Sequence, residues 1–326
     1  MRNAAPRIGF ILFLALCATA GRAQTPAAGF RVTAPLRVAA QHLFVDLEDE
    51  KLGKLSFMVD TGSETTILTA KAAASAQIDH HLTDRFYSLY GFGSGARAKL
   101  KGHLQLHLRT AGIELATLKA LVLNKDELSL KGMPPADGLL GWDFFQHQCV
   151  RLDARAGIME VSDPEHCAPR EEGFYTPHVE WMKEGLLLPM TATLASQKTV
   201  ALTLHVDTGA NSIVLNPRLR EALQMEKNPQ KETGNQGSGI NGSYSFDIAK
   251  AVRLEAEGGH PGLQGEIPMI VPRGGYSQPS WLLAGRDEAR LARCGSLGNS
   301  VLGSYILIFD GKEKKLYEKA YKSREQ

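Results

Sequence analysis

The sequence predicts an all-β chain made of two similar lobes, and three observations support this fold class. Short alternating segments such as His103–Leu108 are separated by frequent glycine turns, which is typical of strands. Few segments have the length and periodicity of a helix. An internal repeat shows that the two halves begin alike and close alike, so each half is expected to form one lobe.

The repeat centres on two Asp-Thr-Gly tripeptides, each of which follows an apolar run. The two stretches are Asp60-Thr61-Gly62-Ser63 and Asp207-Thr208-Gly209-Ala210. Seven residues after each aspartate stands an apolar pair, Ile67-Leu68 in the first half and Val214-Leu215 in the second (67 − 60 and 214 − 207). One such tripeptide arises easily by chance, but a second with matched surroundings indicates a duplicated structural unit.

A helix candidate and a glycine-rich tip follow each tripeptide. Thr69 and Asn216 are good N-caps and predict short helices over residues 71–77 and 218–224. The tips begin 31 and 30 residues after the aspartates (91 − 60 and 237 − 207), and glycine permits tight, mobile hairpins there. We interpret the tips as a pair of flaps, although two ordinary turns and surface aromatics are the alternative. The flap candidates are Tyr90, Gly91, Phe92, Gly93, Gly237 and Gly239.

Each half is expected to close with an apolar-apolar-glycine segment and two strands. Leu139-Leu140-Gly141 and Val301-Leu302-Gly303 are the candidates for this segment. The distances from these glycines to Asp153 and Asp310 differ (12 and 7 residues), which predicts a five-residue insertion in the first half. The predicted organisation is a signal peptide over 1–23, an N-terminal lobe over 30–162, a linker over 163–185 and a C-terminal lobe over 186–322.

The first 23 residues predict an exported protein. Arg2 and Arg7 precede a short apolar run over 8–20, and small residues follow, as in a cleaved secretory signal; lipidation of Cys17 is an alternative. Removing this segment changes the formal charge from +2 to −1, so the composition does not favour binding to nucleic acid. No later run is long and apolar enough to span a bilayer, and the envelope of a bacterium, either periplasmic or outside the cell, is the expected location.

Three cysteines remain after the signal, and an oxidising compartment permits one disulfide among them. We predict the Cys149–Cys167 pair, because only a hairpin separates these residues. A metal cluster that includes the adjacent His147 and His166 is an alternative, but the spacing matches no standard zinc pattern.

The two Asp-Thr-Gly stretches and the apolar-apolar-glycine segments resemble those of the aspartic peptidases of the pepsin and retropepsin clan. This resemblance, which covers residues 34–320, implies the acid-protease fold, with two β-barrel lobes related by a pseudo-twofold axis. It further implies Asp60 and Asp207 as the catalytic pair, a polypeptide substrate in extended conformation and no cofactor or metal. Because one chain carries both aspartates, a monomer would suffice.

Two adjacent carboxyl groups that share one proton can act as general base and general acid on a bridging water. In this reading, Thr61 and Thr208 join the two loops, and Gly62 and Gly209 let backbone amides approach the carboxylates. A hydrogen bond from the Ser63 hydroxyl to Asp60, with Ala210 offering none to Asp207, predicts that Asp60 ionises and Asp207 keeps the proton. The alternatives are a peptide-binding protein without activity and an unrelated β-sandwich.

Overall fold

The computed structural model describes residues 30–79, 100–128, 132–225, 235–239, 242–259, 262–273 and 293–321. The predicted signal peptide with Cys17 lies outside the described residues, as do the flap candidates Tyr90, Gly91, Phe92 and Gly93. Within the described ranges there are two short α-helices, α1 Trp142–Phe145 and α2 Asn299–Leu302. None of the described helices is long and apolar enough to cross a bilayer.

Strands make up most of the described chain. They are β1 Arg31–Ala39, β2 His42–Asp49, β3 Gly53–Val59, β4 Ile67–Leu68, β5 Leu100–Thr110, β6 Ile113–Leu123, β7 Gly138–Leu140, β8 Cys149–Asp153, β9 Ile158–Ser162, β10 Glu180–Trp181, β11 Leu186–Leu194, β12 Thr199–Val206, β13 Ile213–Leu215, β14 Asn235–Gly239, β15 Gly242–Ala256, β16 Leu263–Pro272, β17 Arg293–Leu297, β18 Tyr305–Asp310 and β19 Lys315–Ala320.

Each half forms a closed barrel of six strands, and the two barrels match strand for strand. The N-terminal order is β2-β3-β7-β4-β6-β5, closed by the β2–β5 pairing. The C-terminal order is β11-β12-β17-β13-β16-β15, closed by the β11–β15 pairing. The predicted all-β fold of two similar barrel lobes is therefore confirmed.

Alternation along the strands places apolar side chains inside the barrels. On β5, Leu104, Leu106 and Leu108 are buried, whereas Gln105 and His107 between them lie on the other face. Each fully buried leucine stabilises the fold by about 1.5–3 kcal/mol relative to an exposed one. Successive side chains of a strand point to opposite faces, so this alternation places the leucines in the core.

A further sheet joins the two lobes, in the order β19-β18-β8-β9-β1. The last two strands of the chain thus pair with strands of the first half, with Leu307 opposite Leu152. The lobe boundaries at 162, 185 and 322 stay a prediction, since this shared sheet crosses them.

The predicted Cys149–Cys167 disulfide is present, with a Cα–Cα distance of 5.4 Å, and it fixes the linker to β8. Cys167 Sγ also lies 3.6 Å from the carbonyl oxygen of Phe309 on β18.

The closing segment of the second half differs from the prediction. β17 ends at Leu297 and pairs in parallel with β12, as β7 pairs with β3, so Ser296-Leu297-Gly298 is the counterpart of Leu139-Leu140-Gly141. The predicted segment, Val301-Leu302-Gly303, instead forms α2 and its C-terminal cap. Measured from the correct glycines, both closing strands end after the same 12 residues (153 − 141 and 310 − 298), so the predicted insertion is wrong.

The two predicted helices after the tripeptides are shorter and tighter than expected, although their caps are correct. The Thr69 hydroxyl accepts a hydrogen bond from the Ala72 amide at 3.1 Å, and a run of turns follows. The Asn216 side chain accepts from the Arg218 amide at 2.9 Å and begins a 3₁₀ helix over Pro217–Leu219. Segments this short gain too few hydrogen bonds to offset the cost of starting an α-helix.

Candidate active site

The two Asp-Thr-Gly loops meet where the barrels face each other. Each loop leaves the end of a central barrel strand, β3 at Val59 and β12 at Val206. The Asp60 amide donates to the carbonyl of Leu140 at 3.0 Å, and the Asp207 amide donates to that of Leu297 at 3.1 Å. The neighbouring parallel strand therefore fixes each aspartate at its backbone, in the same way in both lobes.

Thr61 and Thr208 join the loops through four reciprocal hydrogen bonds, as predicted. Each hydroxyl accepts from the other threonine's amide, at 3.0 and 3.1 Å. Each hydroxyl also donates across the interface, Thr61 to the carbonyl of Val206 at 2.8 Å and Thr208 to that of Val59 at 2.9 Å. Both threonines are fully buried, so water cannot replace these bonds.

Gly62 and Gly209 each pack against the aspartate of the opposite loop. A Cβ atom at Gly62 would overlap the carboxyl group of Asp207, and one at Gly209 would overlap that of Asp60. Sequence reasoning assigned these glycines to the approach of their own amides, and those bonds are present. The stronger constraint is the contact across the interface, which only glycine permits.

The two carboxyl groups lie side by side and share a hydrogen bond. Asp60 Oδ1 accepts from the amides of Gly62 and Ser63, both at 3.1 Å. Asp207 Oδ1 accepts from the amides of Gly209 and Ala210, both at 3.0 Å. Burial, together with the negative charge of Asp207, raises the pKa of Asp60 well above its ordinary value. The pair therefore holds a proton at pH values where isolated carboxyl groups would both be ionised.

The predicted role of the Ser63 hydroxyl is wrong. This hydroxyl donates to the carbonyl of Thr65 at 2.9 Å rather than to Asp60. The Ser63 and Ala210 amides contact their aspartates alike, so the exchange of serine for alanine creates no difference between the carboxylates. The prediction that Asp60 ionises first therefore loses its basis, since both Oδ1 atoms accept two amide hydrogen bonds in the same way.

The short helices support the loops from behind. The Trp142 amide at the start of α1 donates to the carbonyl of Ser63 at 2.7 Å, and the Asn299 amide at the start of α2 donates to that of Ala210 at 2.8 Å. In the first lobe, Asp143 also accepts from the hydroxyl of Thr66 at 2.7 Å. Burial raises the pKa of Asp143, which these hydrogen bonds partly offset. These hydrogen bonds fix the backbone of each loop relative to the helix behind it.

Two histidines at the site were missed by sequence reasoning. His42 begins β2 and donates to the backbone carbonyl of Gly209, and burial lowers its pKa while the charge of Asp207 raises it. His205 on β12 is also buried, and its pKa responds to the same two effects. His205 stands two residues before Asp207, which could have marked it; no local signal marks His42, because its contact lies in the other lobe.

The second glycine-rich tip is a hairpin of β14 and β15, as expected for a flap. Gly237 pairs with Tyr244, and Gly239 pairs with Gly242 at the end of the described hairpin. At its base, Asp247 accepts from Arg220 at 2.7 Å and from Arg273 at 2.8 Å, which anchors β15 to the barrel. The flap role itself stays a prediction.

Within the described ranges, no three histidine, cysteine, aspartate or glutamate side chains are placed to share a metal ion.

Comparison with known proteins agrees with this geometry. Residues 45–144, which include the first Asp-Thr-Gly, match the family described as "Aspartyl protease". The aspartic proteinase from Irpex lacteus has a similar fold, with 12% identity, coverage of 90% of this chain and 98% of its own, and a TM-score of 0.50.

Two further solved structures have lower TM-scores. Basic 7S globulin from soybean has 12% identity, coverage of 89% and 94%, and a TM-score of 0.46. A retropepsin-like aspartic protease from Rickettsia conorii has 20% identity, coverage of 41% of this chain and 91% of its own, and a TM-score of 0.28. None of the curated proteins matches this sequence significantly.

Proposed function

We propose that this chain, a member of the pepsin and retropepsin clan of aspartic peptidases, is an exported endopeptidase that cleaves polypeptides without a covalent intermediate. The observation that carries the proposal is the pair of hydrogen-bonded carboxyl groups, each packed against the glycine of the opposite loop. A scaffold that only binds peptide gains nothing from burying two acids side by side, since their mutual repulsion costs stability.

The dyad supplies both an acid and a base to one water molecule. The ionised aspartate removes a proton from the water as its oxygen attacks the scissile carbonyl carbon. The protonated aspartate donates its proton to the carbonyl oxygen, which gives a tetrahedral diol. As the diol collapses and the C–N bond breaks, the aspartate that took a proton from the water gives it to the departing nitrogen. The other aspartate takes a proton from a diol hydroxyl, which restores the dyad.

The hydrogen bonds between the threonines keep the two carboxyl groups at a fixed separation. Since both hydroxyls bind across the interface, neither loop can move without breaking bonds that water cannot replace. Such preorganisation lowers the barrier, because the groups need not reorient during the reaction.

Other features support an exported peptidase acting on extended chains. The Cys149–Cys167 disulfide is typical of oxidising compartments such as the periplasm or the extracellular space. A β14–β15 flap would supply backbone hydrogen bonds to an extended substrate and exclude water. Since both aspartates are on one chain, a monomer suffices for catalysis, and neither cofactor nor nucleic acid has a role.

The test compares the wild type with the Asp60→Asn and Asp207→Asn variants on a library of denatured proteins and peptides. The control is Asp126→Asn, which changes an exposed aspartate far along the chain from either loop. We expect cleavage by the wild type and the control, loss in both dyad variants, and inhibition by a statine-type transition-state mimic. Equal cleavage by all four proteins would refute the mechanism, and peptide binding without cleavage would favour the non-catalytic alternative.

A further inference from the structure

His42 is held against one catalytic loop in a way that has no counterpart at the other. The residue is only 5% exposed, and its ring donates to the carbonyl of Gly209 on the opposite lobe. Its Nδ1 atom is buried without a hydrogen-bond partner in the described part of the chain, so Nε2 is the donor. The ring thus reaches across the interface and makes one directed contact there.

The turn before His42 is strained, which indicates that its position is important. Ala40 and Gln41 have φ angles of 48° and 64°, a conformation normally taken by glycine or asparagine in a two-residue hairpin. The turn pairs Ala39 with His42 and directs the histidine into the interface. Strain of this kind often occurs at functional sites, where surrounding contacts maintain it.

The carbonyl that His42 contacts belongs to the peptide unit that supports Asp207. The C=O of Gly209 and the N–H of Ala210 are the two ends of one peptide group, and that N–H donates to Asp207 Oδ1 at 3.0 Å. A donor on the oxygen of a peptide polarises its N–H, which strengthens the hydrogen bond that the N–H makes. His42 therefore favours the charged form of Asp207 through one intervening peptide.

The first loop has the same peptide, between Gly62 and Ser63, and within the described part of the chain no side chain is found to donate to the carbonyl of Gly62. The Ser63 amide donates to Asp60 Oδ1 at 3.1 Å. Because Phe44 pairs with Met58, and Leu187 pairs with His205, the position that corresponds to His42 in the second lobe is Gly185. A Cβ atom at Gly185 would overlap the ring of His205, so this position cannot carry a side chain that reaches Asp60's loop.

Building on the proposed peptidase function, we propose that His42 is a positioning residue that assigns the negative charge of the resting dyad to Asp207 and leaves the proton on Asp60. Among the described residues, the titratable groups that interact with Asp207 are His42, His205 and Asp60. Burial keeps the His42 ring neutral, so it acts as a hydrogen-bond donor rather than as a cation.

The first experiment measures the pH dependence of kcat/KM. His42→Leu removes the donor and keeps an apolar side chain, His42→Gln retains an N–H that can reach Gly209, and His147→Gln changes an exposed histidine as the control. We expect the acid limb to move to higher pH by about 0.5 unit in His42→Leu, because the charged form of Asp207 loses support. The other two variants should keep the wild-type profile. An unmoved limb in His42→Leu, or an equal shift in His42→Gln, would overturn the proposal.

The second experiment does not depend on activity and keeps His42 intact. The ring is titrated by NMR in the wild type, in Asp207→Asn and in Asp60→Asn. Since a nearby negative charge raises the pKa of a histidine, we expect the midpoint to fall in Asp207→Asn and to change less in Asp60→Asn. A midpoint that is unchanged in Asp207→Asn would refute the role of His42, even if the wild type cleaves peptides. A wild type that cleaves nothing but shows the expected midpoints would instead refute the peptidase proposal.

Discussion

Replacing Thr61 by valine removes one half of the reciprocal contact between the catalytic loops. Valine has almost the same shape as threonine, so packing is preserved while the hydroxyl is lost. The Thr208 amide then loses its acceptor, which lay 3.1 Å away, and the Val206 carbonyl loses its donor at 2.8 Å. Both groups stay buried at the interface between the lobes, where water cannot reach them.

The expected loss of stability follows from these two orphaned groups. Each buried polar group left without a partner costs about 1–3 kcal/mol, so Thr61→Val should lower the free energy of unfolding by about 2–6 kcal/mol. Thr61→Ser keeps the hydroxyl and loses one methyl group, so it should cost only about 1 kcal/mol. The difference between the two variants isolates the hydrogen bonds from the packing.

Urea denaturation of the wild type, Thr61→Val and Thr61→Ser measures this difference directly. Thr208→Val and the double valine variant complete a cycle, in which the two losses should add approximately, because each hydroxyl makes its own pair of hydrogen bonds. Equal losses in the valine and serine variants would refute the conclusion that the hydroxyl bonds hold the loops together. A double variant that is no less stable than either single valine variant would refute the conclusion that each hydroxyl contributes its own bonds.

Four other outcomes can be measured with simple variants. Because the pKa of Asp60 is raised in the folded state, its contribution to stability is present at low pH and is lost as pH rises through the folded value. Asp60→Asn should therefore raise the melting temperature more at pH 7 than at pH 4; a constant difference would contradict this. Gly62→Ala should abolish cleavage, since its methyl group overlaps Asp207, and an active variant would show that the loops can yield. Gln41→Gly should stabilise the protein to urea by about 0.5–1 kcal/mol by relieving the positive φ, and a loss of stability would argue against strain there. Reducing the disulfide that Cys149 forms, which closes a separation of 18 residues, should cost about 3 kcal/mol in the same assay, and an unchanged midpoint would contradict its role.

The features that were predictable from the sequence are those that repeat. Both Asp-Thr-Gly loops, the threonine contacts and the barrel strands recur at matched offsets, so each copy supports the interpretation of the other. The Cys149–Cys167 disulfide was predictable for a different reason, namely that a short hairpin brings its ends together.

The features that were missed depend on contacts between distant segments. Val301-Leu302-Gly303 resembles the first closing segment more than the true counterpart does, because Ser296 interrupts the apolar pattern where β17 pairs with two other strands. The Ser63 hydroxyl donates to the carbonyl of Thr65, two residues later. This choice of acceptor depends on the path of the loop, which no sequence pattern indicates. His42 becomes part of the site only through the opposite lobe, so no spacing along the chain identifies it.

His42 and Gly185 hold matching positions in the two lobes, but only His42 has a side chain. This difference depends on both halves being part of one chain. In an assembly of two identical subunits, any residue beside one aspartate appears beside the other as well, so the two carboxyl groups begin as equals. A tandem chain lifts that restriction, because each half can change alone. A histidine beside one loop and a glycine at the matching position of the other lobe is a difference that a symmetric dimer could not encode. In a tandem chain, the sequence itself can therefore determine which carboxyl group carries the negative charge.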